Sequence, residues 1–138
     1  MKTTKKKSNV GYRYRFKSGL EKTIAEQLTN QGIEPNYEKI KIPYTIPETK
    51  HTYTPDFPVS KTIIIETKGR FLTADRQKML RLKEQYPNIE FRFIFSNSKS
   101  KINKKSETSY ADWCVKHGFK YADKKVPDEW AQEIKRCI

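Results

Sequence analysis

A chain of 138 residues has room for one domain with a real core and not for two comfortable ones. Its 29 Lys and Arg against 16 Asp and Glu give a net charge of +13, which suits a polyanionic partner, with or without catalysis. No run of 18 or more apolar residues appears, which excludes a membrane-spanning helix, and the thinly spread Cys and His exclude a paired-ligand zinc site.

Residues 1–11 read as a flexible basic arm, since MKTTKKKSNV is not followed by the apolar segment of a secretory signal. Aromatic and basic residues then alternate, so Arg13, Arg15 and Lys17 are candidate phosphate contacts on a short strand or an arm. Ser18 is a good helix N-cap and Glu21 falls three residues later, the spacing of a capping box. Leu20, Ile24 and Leu28 give that helix a buried face, and Gly32 stops it. Glu21 has two readings that periodicity does not separate: the capping box, or a helix-borne carboxylate facing a metal.

Ile33 to Ile46 is predicted to be extended, because Pro35, Pro43 and Pro47 exclude a helix and favour an edge strand or strand-turn-strand. Residues 47–50 form a polar connector. His51 follows; a lone His is more often structural, and the sharper reading is a general base near a scissile phosphate.

Next comes the stretch with the most chemistry in it. Pro55-Asp56 precedes the β-branched run Ile63-Ile64-Ile65, a buried strand ending in Glu66-Thr67-Lys68. Residues two apart on a strand share a face, so Glu66 and Lys68 project together, roughly 6.6–7 Å apart. A turn or hairpin can set Asp56 beside Glu66. Two carboxylates and an ammonium suit a divalent metal and a phosphate: hard oxygens for Mg²⁺, and a cation for phosphoryl charge. The pattern is that of the PD-(D/E)xK nucleases, and as a bare pattern it is loose; a turn and a surface Glu–Lys pair also satisfy it.

Beyond Gly69, Thr73 is placed to cap a second helix running to Tyr86 before Pro87, with Leu72, Met79, Leu80 and Leu82 apolar and Arg76, Lys78, Arg81 and Lys83 basic, Arg76 among them a candidate DNA contact. Ile89 to Phe95 is the clearest strand, its aromatic face a core face. Ser96 to Ser109 is a basic loop in which Lys99, Lys101, Lys104 and Lys105 suit phosphate contacts, or simply solvent. Ser109 caps a short helix, Tyr110 to Lys116, with Asp112 in support and Gly118 beyond its end. A last helix begins at Pro127 and buries Trp130, Ile134 and Ile138. This order predicts one α/β domain with a mixed central sheet flanked by helices, and the two unpaired cysteines suit a reduced, cytoplasmic setting.

With these residues placed, the chain resembles the bacteriophage endonuclease I family of junction-resolving enzymes. RFKSGLE, the Tyr-Glu and IPY pieces at 37–44, HTYTPDF, ETKG, TSY followed by a Cys, KHG, and ADK before Pro-x-Glu-Trp fall in the family's order from about Phe16 to Trp130. The resemblance implies a restriction-endonuclease-like nuclease core in a strand-exchanged homodimer, one endonuclease domain spanning residues 1–138, with about 46–54 as the bridge between subunits. Each active site would take Glu21 from one subunit and Asp56, Glu66 and Lys68 from the other, which favours a metal-site role for Glu21. Metal ligands would be Asp56, Glu66, the Thr67 backbone carbonyl and Glu21, holding one or two Mg²⁺, with Mn²⁺ able to substitute. Branched double-stranded DNA is the implied partner, with no membrane, in the host cytoplasm. Asn36 stands where relatives carry an acid, so that role is lost here or passes to Glu38 or Glu34. The C-terminus also looks shorter than theirs. The rival readings are a sequence-specific restriction-type nuclease, an RNA-processing nuclease, and a noncatalytic DNA-binding module.

Overall fold

Local chemistry starts the first helix as expected. Ser18 adopts an extended backbone and its hydroxyl accepts the Glu21 amide at 3.1 Å, which opens helix α1, Gly19–Asn30. The Glu21 carboxylate, however, accepts from the Lys17 amide, one residue before the cap, so the reciprocal half of a capping box is not made. Gly32, at φ +77°, then turns the chain in the left-handed region that other side chains resist.

The computed structural model describes residues 15–46 and 49–138; the predicted basic arm and Arg13 lie outside them. Much of the expected strand from Ile33 forms no ladder. Left-handed backbone at Asn36 and Glu38 (φ +51° and +50°) folds residues 33–41 back, and pairing begins only at β1, Ile42–Ile46. β1 runs antiparallel to β2, Thr49–Tyr53, with Ile42 opposite Tyr53 and Ile46 opposite Thr49, so two residues of the predicted connector belong to a strand. Short β3, Phe57–Pro58, then pairs antiparallel with β4, Ile63–Lys68. Helix α2, Thr73–Gln85, leads to β5, Glu90–Phe95; helix α3, Tyr110–His117, leads to β6, Lys120–Asp123; and helix α4, Asp128–Cys137, follows.

The main sheet has the order β3-β4-β5-β6, with β4, β5 and β6 parallel, so it is mixed as predicted. Strand alternation sorts its two faces. Ile63, Ile65 and Ile94 pack with Ile24, Ala25 and Leu28 of α1 and Trp130, Ala131 and Ile134 of α4. Ile64, Phe91, Phe93 and Phe95 pack with Met79 and Leu82 of α2 and Tyr110, Trp113 and Cys114 of α3. Both layers are needed because a parallel strand core is apolar on either side. The hairpin sits against α2: Gln85 exchanges two hydrogen bonds with the Thr45 backbone, at 2.9 and 2.6 Å, and the Tyr86 hydroxyl donates to the Pro43 carbonyl. Among the described residues no helix is long and apolar enough to cross a membrane.

Two further sequence expectations are corrected. Thr73 is not the cap of α2; Leu72 occupies that position, 50% exposed, and Asp75 accepts its amide at 3.0 Å. Ile138 is 74% exposed, since α4 ends one residue earlier and its buried stripe stops at Ile134. Strand β6 had no clear sequence signal, because its four residues are only exposed or half-buried at a sheet edge. Ser109 and Asp112, by contrast, do form a full capping box on α3.

One long-range clamp holds α1 in place. The Gln27 side chain accepts the Val126 amide at 2.8 Å and donates to the Val126 carbonyl at 2.9 Å. Gln27→Ala is expected to lower stability by about 1–3 kcal/mol, because it leaves a buried amide without its partner. Urea unfolding of the two proteins checks this; equal midpoints would show that water takes over both bonds.

Candidate active site

The end of β4 gathers the acidic side chains, and backbone pairing does the gathering. Antiparallel pairing of Phe57 with Ile65 brings Asp56, one residue before β3, level with Glu66 and Thr67. The Asp56 amide donates to Glu66 Oε2 at 2.9 Å, and Asp56 Oδ2 accepts the Thr67 amide at 3.0 Å and the Thr67 hydroxyl at 2.9 Å. The Tyr53 hydroxyl, arriving from β2, also donates to Glu66 Oε2. Both carboxylates are therefore buried and oriented by fixed donors.

Two further carboxylates approach from the α1 side. Glu21 reaches in from the first turn of α1, its Oε1 accepting from the Tyr37 hydroxyl and the Lys17 amide, both at 2.8 Å. Glu38 is set by its left-handed backbone, with its amide donating to the Asp56 carbonyl at 3.1 Å and its carboxylate 3.2 Å from Lys17 Nζ. Ligand oxygens of Glu21, Glu38 and Asp56 all lie within 4.8 Å of one another. Glu66 is not one of these three; it shares the opposite face of β4 with Lys68 and adjoins the group through the Asp56 amide. The cluster lies at the carboxyl end of the parallel strand, where open α/β sheets place their ligands.

Electrostatically this corner is short of a cation. Burial, then the neighbouring Glu66 charge, pushes the Asp56 carboxyl up to about 8. Burial likewise raises Glu66, against the lowering influence of Lys68 and the Tyr53 hydrogen bond. Burial and the Glu66 charge hold the Tyr53 phenol well above its ordinary range. An all-oxygen donor set carrying compressed negative charge fits a hard divalent ion, so these residues could hold one.

Lys68 follows Glu66 on the same face. Its side chain is 17% exposed and its Nζ lies 3.4 Å from Asp75 Oδ1 on α2. His51 is exposed on β2, its ring 5.4 Å from that of Tyr44 across the hairpin. It lines a hollow of about 360 Å³ with Asp75, Lys78 and Arg81, outside the three-carboxylate group.

The basic residues separate into two kinds. Arg76, read from sequence as a DNA contact, is 7% exposed and donates to the carbonyls of Phe71 and Ile102 and to the Thr73 hydroxyl. It is a structural residue, because the first turn of α2 points it into the protein. Lys83 is similarly engaged, donating to the Gly118 carbonyl and lying 4.8 Å over the Phe119 ring. Arg15, Lys17, Lys99, Lys101, Lys104 and Lys105 are exposed, with Lys17 paired to Glu38 and Lys101 paired to Glu107 at 2.8 Å. The loop that carries the last four is not loose: Ser98 gives its amide and hydroxyl to Asp123 at 2.7 and 2.8 Å, and the Ile102 amide bonds the Thr108 carbonyl.

Tyr37, Tyr53 and Asp75 were missed as site residues. Their signal in the sequence was weak, since a tyrosine on a strand or an acid in a helical first turn has an ordinary structural explanation. Only their contacts with Glu21, Glu66 and Lys68 distinguish them.

The profile of the family described as Phage endonuclease I matches residues 1–138. Endonuclease I of Escherichia phage T7 is 48% identical over 123 residues, covering 89% of this chain and 83% of that protein. Endodeoxyribonuclease 1 of Enterobacteria phage T3 is also 48% identical over 123 residues, covering 89% of this chain and 81% of that protein.

Proposed function

Because the chain belongs to the phage endonuclease I family, we propose that it is a metal-dependent endodeoxyribonuclease that cuts branched DNA, resolving four-way junctions by paired incisions in the host cytoplasm. The observation that carries this reading is the convergence of Glu21, Glu38 and Asp56 within 4.8 Å, beside the Glu66–Lys68 end of β4. Asp56 and Glu66, with Glu21 and the Thr67 backbone carbonyl, would hold Mg²⁺, or Mn²⁺ in its place, at one or two positions. A bound divalent ion supplies an activated water and offsets charge on the leaving oxygen.

The protein's own groups do the rest. Thr67 and the Asp56 amide fix the two carboxylates, so neither must reorganise when substrate arrives. Tyr53 keeps one Glu66 oxygen occupied and so sets the direction of the other. Lys68 presents an ammonium to the charge that develops on the phosphoryl oxygens. The exposed lysines at 99, 101, 104 and 105, with Arg15 and Lys17, take the phosphate backbone and read shape instead of base sequence. Glu38 joins Glu21 and Asp56, which supports its taking over from the acid replaced by Asn36.

We further propose the strand-exchanged homodimer. In one chain, α1 lies on its own sheet and the β1–β2 hairpin pairs Ile46 with Thr49. Opening that hairpin would carry residues 15–46, with Glu21 and Glu38, onto a second copy with the same contacts. Two-fold symmetry would then match the junction and account for paired cuts.

The test is cleavage of a labelled four-way junction and a matched linear duplex in Mg²⁺ or Ca²⁺. Paired cuts flanking the branch in Mg²⁺, with tight uncut binding in Ca²⁺, are expected. Cutting at one fixed sequence in the duplex would instead indicate a restriction-type enzyme, and binding without cutting in every metal would leave a noncatalytic module. The exchange is tested by refolding Glu21→Ala together with Asp56→Asn, each inactive alone. An exchanged heterodimer has one intact site and regains single-strand nicking; an unexchanged one stays dead.

A further inference from the structure

We infer that Asp75 is a positioning residue for Lys68, holding its ammonium at the end of β4 where the proposed reaction needs it. The inference deepens that reading and rests on it. Among the described residues the carboxylate paired with Lys68 is that of Asp75, at 3.4 Å, and both side chains are mostly buried. Two further positive influences meet this ammonium from α2. α2 begins at Thr73, so Lys68 stands beside the positive end of a helix dipole. Lys78, three residues beyond Asp75 and so on the same face of α2, adds a second positive charge, its Nζ 5.5 Å from the centre of the Tyr53 ring. Tyr53 in turn bonds Glu66, so both cations crowd one corner of the site.

Asp75 answers that crowding with two separate oxygens. Oδ2 accepts the Leu72 amide at 3.0 Å and closes the helix start; Oδ1 faces Lys68. The helix cap makes the carboxylate rigid, and the rigid carboxylate fixes the ammonium. A flexible lysine would otherwise sample several rotamers, and a displacement of about 1 Å from reacting atoms costs on the order of 10²-fold in rate.

The two roles can be separated by substitution. Asp75→Asn keeps a carbonyl oxygen for the Leu72 amide but turns an uncharged, donating group toward Lys68. Single-turnover junction cleavage in Mg²⁺ should fall by about 10–100-fold, with junction affinity in Ca²⁺ unchanged and the unfolding midpoint only slightly lowered by the lost charge at the helix start. Asp75→Glu restores the charge and should recover most of the rate. The deciding measurement repeats Asp75→Asn in a Lys68→Met background, with long incubations to follow the slow reaction. A loss that disappears there supports the inference, because the two residues then act as a unit. An equal loss in both backgrounds would show that Asp75 acts through the helix and not through Lys68, and no loss in the native background would overturn the inference outright. If the native protein itself fails to cut the junction, the proposed function fails and the positioning role falls with it.

Discussion

Asp56→Asn should lower junction cleavage in Mg²⁺ by about 10³-fold or more, the scale expected when a group that organises transition-state charge is lost. The substitution is nearly isosteric. The amide oxygen can still accept from the Thr67 amide and hydroxyl, so the β3–β4 register should survive. What disappears is the negative charge shared with Glu21, Glu38 and Glu66. Junction affinity in metal-free buffer should hold, since the exposed lysines proposed to take the phosphate backbone are untouched and the folded metal-free Asp56 still carries its proton below about pH 8. Gel-based cleavage and gel-shift titration separate the two quantities. Near-native cutting by the variant would mean that Asp56 is an anchor for Thr67 and no part of the metal site.

The same substitution should make the metal-free protein more stable, and increasingly so as the pH rises. In the folded chain Asp56 is raised to about 8, from an ordinary value of 3.8, by burial first and by Glu66 second. Between those two values the unfolded chain has released this proton while the folded chain still binds it. Stability therefore falls as pH rises through that window, and it is fully present below it. Asn cannot ionise and escapes the loss. The variant should match the native protein near pH 4 and exceed it by about 2–4 kcal/mol at pH 8 in EDTA. Added Mg²⁺ at pH 8 should raise the native midpoint and leave the variant's almost unmoved, because an ion binding the folded state alone stabilises it by mass action. Unfolding curves at the two pH values, with and without Mg²⁺, check this. Parallel pH profiles for the two proteins would show that Asp56 ionises normally and that the corner does not lack a cation. A site built for activity at the expense of the empty fold is a common trade-off.

Some elements could be read directly because their signals are local. Ser109 with Asp112 marks a helix start by chain chemistry alone, and Ile63–Ile65 marks a buried strand by β-branching and hydrophobicity. The Phe91–Phe95 alternation belongs to the same kind. The failures have equally local causes. Arg76 looked like a surface cation because composition says nothing of which way a helix turns its first residues. Thr73 looked like a cap, but the bond to the helix start is made by Asp75 from inside the first turn. Residues 33–41 looked extended, and left-handed turns at Asn36 and Glu38, residues without glycine's freedom, carried Glu38 into the site instead.

By itself the sequence determined the fold class, the strand that bears Glu66 and Lys68, and the family, since each rests on patterns carried by neighbouring residues. The tertiary structure alone decided which partners complete the site. Tyr37 meets Glu21, Tyr53 meets Glu66, Asp75 meets Lys68, and Glu38 meets Asp56, across separations of 16, 13, 7 and 18 residues. All four lie beyond a single helical turn or a short hairpin loop, and all depend on how the sheet, α1 and α2 pack. Backbone pairing and burial set those distances, and no spacing rule along the chain encodes them.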